Sequence, residues 1–223
     1  PTVSSHMSAP DTMSVMWTMP YRIETERLVL RPYAESDAAA LNDLIDRSRE
    51  HLSRYLPWAR EPETVEQRAE WIRRQRAEYD AGVEYTLGMF SRRDGRLVGG
   101  TGLHPRTEPP HLEIGFLVAV DEQGKGFVTE SSAALSWIAL AFARAPYVAI
   151  AHAPSNAASA AVARRLGFAE RVRDGISCTD GDAAVTSRVW TADKESLTRE
   201  PLVTYGRPQI FDEMGAALEW PAQ

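Results

Sequence analysis

The chain predicts an α/β fold, a mixed central β-sheet flanked by helices on both faces. Two observations point there first. Segments with alternating or β-branched apolar residues interleave with segments of helical periodicity over most of the 223 residues. Their order is strand, two helices, three strands, helix, strand, helix, two strands, which packs most economically as one sheet covered on both sides. A third observation places chemistry on that frame: a glycine-bearing turn, Gln123 to Glu130, lies between a strand and a helix.

Ile23 to Tyr33 reads as the first strand, closed by Pro32. Ser36-Asp37 offers an N-cap to a helix whose Leu41, Leu44 and Ile45 share a face. Leu52 to Pro57 breaks it, and Glu63-Thr64 opens a second helix, ended by Gly82, with Val65, Ala69, Trp71 and Ile72 as its apolar side. Strands follow at Tyr85 to Ser91, Leu97 to Leu103 and His111 to Val120, the first two joined by the turn signal Arg92 to Gly95. In the third strand Leu112, Ile114, Phe116 and Val118 share one face, and Glu113 is the single charge. A helix over about Phe127 to Arg144, a strand at Tyr147 to Ala151, and a helix from Asn156 to Leu166 with Gly167 as its C-cap come next. Phe168 to Ile176 and Ala184 to Trp190 are expected to pair as a final hairpin.

Residues 1–20 are set aside as a disordered leader whose opening PTVSSHM resembles an expression scar. Residues 21–193 are expected to form the domain. Residues 194–223 are an extension without clear pattern, apart from a turn of helix expected at Phe211 to Leu218.

Composition narrows the function. A formal net charge of −6 argues against a nucleic-acid coat, which needs clustered Lys and Arg. The run Trp71 to Arg76 reads as a solvated helix face. The longest apolar stretch, Ala133 to Ala143, is well short of the ~20 residues that span a bilayer. One cysteine, Cys178, cannot form an internal disulfide; a reducing, cytoplasmic setting is expected, with Cys178 an ordinary strand or loop residue. No Cys/His spacing for zinc surrounds it, so no metal is expected.

The turn QGKGFVTE is the sharpest local feature. Glycines let the backbone approach a ligand with its N–H groups turned inward, and the next helix adds its positive end. Lys125 adds a charge. The turn is neither a Walker A sequence nor G-x-G-x-x-G, which weakens a nucleotide-binding reading.

Several segments together resemble the GCN5-related N-acetyltransferases, the GNAT superfamily. Gln123, Gly124, Lys125, Gly126 and Phe127 match that family's Q/R-x-x-G-x-G/A loop, while Val128 replaces its last Gly or Ala. Glu113 to Phe116 (EIGF), Pro154, Asn156, Ser159 and Leu166-Gly167-Phe168 are similar to the Rim-type branch, which includes the ribosomal-protein N-terminal acetyltransferases. Glu24 to Pro32 and Tyr55 to Ala59 also look like that branch. The resemblance covers about residues 22 to 192 and rests on the order and spacing of the motifs.

It implies direct attack by an amine on the thioester of acetyl-coenzyme A, with no metal. The amine belongs to a protein N-terminus or a small molecule, and neither a nucleic acid nor a membrane is a partner; a homodimer is left open. The implied coenzyme contacts are Phe116, Leu117, Val118, Gln123, Gly124, Lys125, Gly126, Phe127, Val128, Thr129, Asn156 and Ser159. Glu113 is the first candidate base, as a carboxylate in an apolar strand, with Asp174, Asp180, Asp182 and His152 as others. A Glu113 merely paired with a nearby Arg is the structural alternative. The Leu117 N–H is the implied oxyanion donor and Ser159 the group at the coenzyme sulfur. Tyr55 and Trp58, with Glu113, are expected to wall the acceptor pocket. A non-catalytic acyl-coenzyme A-binding module of the same fold is the competing reading.

Overall fold

The computed structural model describes residues 17–171 and 177–222. The first expected strand is two: Arg22–Glu24 (β1) and Leu28–Arg31 (β2), paired antiparallel with Ile23 opposite Leu30. Polar residues fill 24–27, and the buried positions change parity across the reversal, Ile23 before it and Leu28 and Leu30 after it; the Thr25 N–H donates to Leu28 O there at 3.0 Å. Ala38–Leu52 (α1) and Val65–Asp80 (α2) follow. The Thr64 hydroxyl accepts the Gln67 N–H at 3.2 Å and Gln67 Oε1 accepts the Thr64 N–H at 2.8 Å, a reciprocal cap that starts α2 at the expected place.

Tyr85–Ser91 (β3), Leu97–Thr107 (β4) and Pro110–Val118 (β5) form an antiparallel meander. Phe127–Trp137 (α3) continues as a π-turn over Ile138–Phe142 and returns the chain to Tyr147–His152 (β6). Ala157–Arg165 (α4) ends at Gly167, whose φ of 73° closes the helix. The remaining elements are Ala169–Arg171 (β7), Ser177–Asp180 (β8), Ala183–Thr186 (β9), Arg188–Asp193 (β10), the short helix Leu202–Tyr205 (α5) and Gln209–Phe211 (β11).

Nine strands make one sheet in the order β11-β1-β2-β3-β4-β5-β6-β10-β7. Its one parallel pairing joins β5 to β6. One core cluster lies between the sheet and α3 and α4, centred on Leu112, Ile114, Leu135, Ile138 and Ala163. The other lies under α1 and α2, with Leu41, Leu44, Ile45 and Ile72 against Phe90 and Leu97. The helices therefore cover both faces, as expected.

Three expectations need correction. The final hairpin is interrupted: β7 pairs with β10, while β8 and β9 between them pair with each other as a separate two-stranded ribbon. Part of the expected hairpin, residues 172–176, lies outside the described residues. The tail is built into the sheet: β11 pairs with β1, Ile23 opposite Ile210, and Leu197, Leu202 and Ile210 are buried. Phe211 is thus a strand residue, not the start of a helical turn. At the other end Trp17 is buried, and its carbonyl accepts from the Tyr85 hydroxyl, so residues 17–20 pack on the domain.

Candidate active site

The site begins where β5 and β6 part. Their pairing is confined to Leu112↔Val148 and Glu113↔Ala149. Beyond it β5 runs on to Val118 with one edge unpaired, and residues 115–118 are only half-buried. A cleft of about 720 Å³ opens along that edge. It is lined by Ile114 to Val118, by the turn after β5, by α4 from Asn156 to Arg165, and by the end of α1 with Arg54 to Leu56.

At one end lies the glycine turn. Gly124 and Gly126 have φ of 72° and 84°, a left-handed conformation costly for any other residue. Gly126 is the N-cap of α3 and brings no side-chain cap. The first helical hydrogen bond is Glu130 N–H to Gly126 O at 3.0 Å, so the N–H groups of Phe127, Val128 and Thr129 have no partner within the helix. They and the helix dipole form an anion seat. Glu130, on the first turn, is buried and turned away: Thr25 Oγ1 and Arg27 Nε donate to it at 2.6 Å each.

Gln123, Gly124, Gly126, Phe127, Val128 and Thr129 line the cleft, and Lys125 does not. Lys125 Nζ is bound to Glu122 Oε2 at 2.9 Å, beside Arg96, which holds the other oxygen at 2.6 Å. Burial alone would raise the Glu122 carboxyl; Lys125 and Arg96 outweigh it and bring it below the usual carboxylate range. Lys125 therefore braces the turn rather than adding a charge to the seat.

Phe116, Leu117 and Val118 all line the cleft, but they do not present the same groups. The Ala119 N–H donates to Val98 O at 3.0 Å. Bonded and non-bonded pairs alternate along an antiparallel ladder. With Gly99 opposite Val118 and Gly100 opposite Leu117, the Leu117 N–H is turned to β4. The main-chain groups of Phe116 and Val118 face the open edge. Assigning the oxyanion donor to Leu117 thus needs correction, because strand parity commits that amide to the ladder.

Asn156 Oδ1 caps α4 by accepting the Ser159 N–H at 3.1 Å, and Asn156 lines the cleft. Ser159 also lines the cleft. His152 lines it as well, yet both its ring nitrogens are engaged: Nδ1 lies 2.8 Å from Ala153 O, and Nε2 accepts from the Trp190 indole at 2.9 Å. An indole N–H only donates, so Nε2 has no lone pair left for a proton.

The remaining candidates divide. Glu113 is not among the lining residues; its carboxylate accepts from Arg106 at 3.0 Å, the ion pair named above as the alternative. Asp180 takes hydrogen bonds from Ser155 and from Arg54, which hold it below the usual range. Asp182 is exposed and paired with Arg60. Asp174 lies outside the described residues. Tyr55 lines the cleft, its hydroxyl 3.2 Å from Ser155 Oγ. Trp58 does not: it is 46% exposed on a short turn, near the Arg68 guanidinium of α2, because the 3₁₀ turn Pro57–Ala59 swings it outward.

Sequence reasoning missed Glu50, His51 and Arg165, which line the cleft, and read Cys178 as ordinary although it lines the cleft too. None sits in a motif, and no local signal marks them. Among the described residues there is no group of His, Cys, Asp and Glu suited to a metal, and no helix is long and apolar enough to cross a membrane.

Residues 27–169 match the family described as Acetyltransferase (GNAT) domain. The chain is 32% identical over 158 residues to YdaF of Bacillus subtilis (strain 168), named as a candidate ribosomal N-acetyltransferase; the match covers 68% of this chain and 84% of YdaF. Two solved structures share the fold. RimL, a ribosomal α-N-protein acetyltransferase in complex with coenzyme A, superposes with a TM-score of 0.68 at 19% identity, over 78% of this chain and 99% of RimL. The microcin self-immunity acetyltransferase MccE, in complex with acetyl-CoA and AMP, gives 0.66 at 16% identity, over 75% and 93%.

Proposed function

Because the chain belongs to the GNAT acetyltransferase family, we propose that it moves an acetyl group from acetyl-coenzyme A to a primary amine by direct attack, with the α-amino group of a protein N-terminus as the favoured acceptor. One observation carries the reading: the unpaired edge of β5 leads straight into the glycine turn at the start of α3. A pantetheine arm is a chain of amides and fits a strand edge; its diphosphate fits a ring of N–H groups.

In this reading the diphosphate sits on Gly124 to Thr129 and the arm runs back along β5. Val118 comes first along that path and takes the pantetheine amides. Phe116 is further on, and its N–H meets the thioester oxygen as negative charge develops there. Ser159, on the facing helix, passes a proton to the departing sulfur. Glu113, held by Arg106, contributes negative charge on the acceptor side. The names of YdaF and RimL support a protein N-terminus as acceptor.

Thiol release from acetyl-coenzyme A with a panel of N-terminal peptides and small amines tests this. Turnover that requires a free α-amino group is expected. Coenzyme A binding without turnover across the panel would leave a non-catalytic binding module instead, and turnover on small amines alone would reassign the acceptor.

A further inference from the structure

Gly102 and Gly115 are opposite one another on β4 and β5, so two side-chain positions on one patch of sheet are bare. The ring of His104 occupies that patch. A Cβ on Gly115 would come within 2.5 Å of His104 Nε2, and a Cβ on Gly102 would stand 3.5 Å from Cε1. His104 Nδ1 lies 2.5 Å from Glu84 Oε2. A carboxylate accepts only, so Nδ1 carries the hydrogen and the Nε2 lone pair remains. Nε2 has no partner among the described residues.

Strand alternation says which way this dyad faces. Glu113, Gly115 and Leu117 share one side of β5, and Leu117 packs with the α1 and α2 cluster. Phe116 packs with the α3 cluster on the other side. The phosphate seat belongs to α3, while the end of α1 and Arg54 to Leu56 close the cleft from the opposite face. His104 and Glu84 do not themselves line the cleft; the ring reaches it by covering Gly115 on the α1 side of β5. Gly115 itself lines the cleft, and Phe116, whose N–H stands at the thioester in the reading above, is the next residue.

We propose that His104 is the general base of the transfer and that Glu84 is its positioning residue. This rests on the acetyl-transfer reading. Nε2 takes one proton from the incoming ammonium, directly or through one water. The freed nitrogen pair attacks the carbonyl carbon, a C–N bond forms, and the carbonyl electrons move onto the oxygen at the Phe116 N–H. As the C–S bond breaks, the surplus proton on nitrogen passes through Ser159 to sulfur, and the proton on His104 leaves to solvent. The charged groups around the imidazole are Glu84 before β3, the Arg106–Glu113 pair on β4 and β5, and Glu78 on α2, whose carboxylate is held by Gln75. Arg106 already commits Glu113 and His152 has no free nitrogen; of the other imidazoles, His51 is exposed at the end of α1, while His104 is oriented by Glu84 and lies over Gly115.

His104→Gln, Glu84→Gln and Gly115→Ala test the assignment, each with acetyl-coenzyme A affinity measured beside kcat and its pH dependence. His104→Gln is expected to keep coenzyme affinity, to lower kcat about a hundredfold and to lose the acid limb of the pH profile. Glu84→Gln is expected to lower kcat less while leaving KM and coenzyme affinity unchanged, because only the orientation of the ring is lost; a structural role alone would move stability and affinity together with kcat. Gly115→Ala is expected to displace the ring and to mimic His104→Gln in kcat. A folded His104→Gln protein that retains both kcat and the acid limb overturns the proposal. Should that variant not fold, an unchanged kcat in folded Glu84→Gln overturns it. Wild-type protein that binds acetyl-coenzyme A and acetylates no amine overturns the transfer reading, and this one with it.

Discussion

Arg27 holds the phosphate turn from behind through Glu130. Its Nε donates to Glu130 Oε2 at 2.6 Å, its main-chain N–H to Oε1 at 2.8 Å, and its Nη1 to Lys125 O at 2.9 Å, while the guanidinium lies 4.9 Å from the centre of the Phe127 ring. One side chain therefore ties the turn, the first helical turn and β2 together. Arg27→Ala leaves the buried Glu130 with a lost charged partner, a change that costs about 1–3 kcal/mol. It should lower the denaturant midpoint and weaken coenzyme A binding together, read by urea unfolding and calorimetry. A variant that loses stability but keeps full affinity would show that the turn holds its shape without the brace.

Gly126 must keep its left-handed backbone for the N–H groups after it to converge. Proline fixes φ near about −65° and has no N–H, against the observed 84°. Gly126→Pro should weaken coenzyme A binding by more than about tenfold, ~1.4 kcal/mol. Unchanged affinity in a folded variant would take the turn out of the site.

Glu122 links pH to stability. Its carboxyl lies below the usual range in the folded protein because Lys125 and Arg96 outweigh burial. The unfolded state thus binds more protons in the window between the two values. The stabilisation is present above the unfolded carboxylate range and is lost as pH falls through the folded value. Glu122→Gln should therefore lower the neutral-pH unfolding midpoint and flatten its decline toward acid. An acid limb as steep as that of the wild type would assign the dependence to other carboxylates.

Cys178 is the single thiol of the chain and lines the cleft. Coenzyme A in the cleft should slow its alkylation by iodoacetamide, followed by mass. Cys178→Ser should retain turnover, since no step above uses the thiol. Alkylation at an equal rate with saturating coenzyme would place the ligand elsewhere.

Much of the frame is legible in one dimension because its signals are local. The cap at Thr64, the glycine at 167 and the alternation of β5 each report on residues a few positions away. The turn from Gln123 to Thr129 is readable for the same reason: its two left-handed glycines and the start of its helix are contiguous. β1 and β2 read as one strand because two short apolar segments lie close together, although the polar run 24–27 and the parity change from Ile23 to Leu28 mark the reversal.

One dimension carries the class of fold and the family. The tertiary structure decided everything that depends on two distant segments meeting. It set Arg96 against Glu122, turned the Leu117 amide into the β4 ladder, closed both nitrogens of His152, paired Glu113 with Arg106 and laid His104 across Gly115 beside Glu84. A residue type states what a side chain is able to do. Which of those abilities is still unspent depends on partners brought to hydrogen-bond distance by strand register and packing, and neither is written in local spacing.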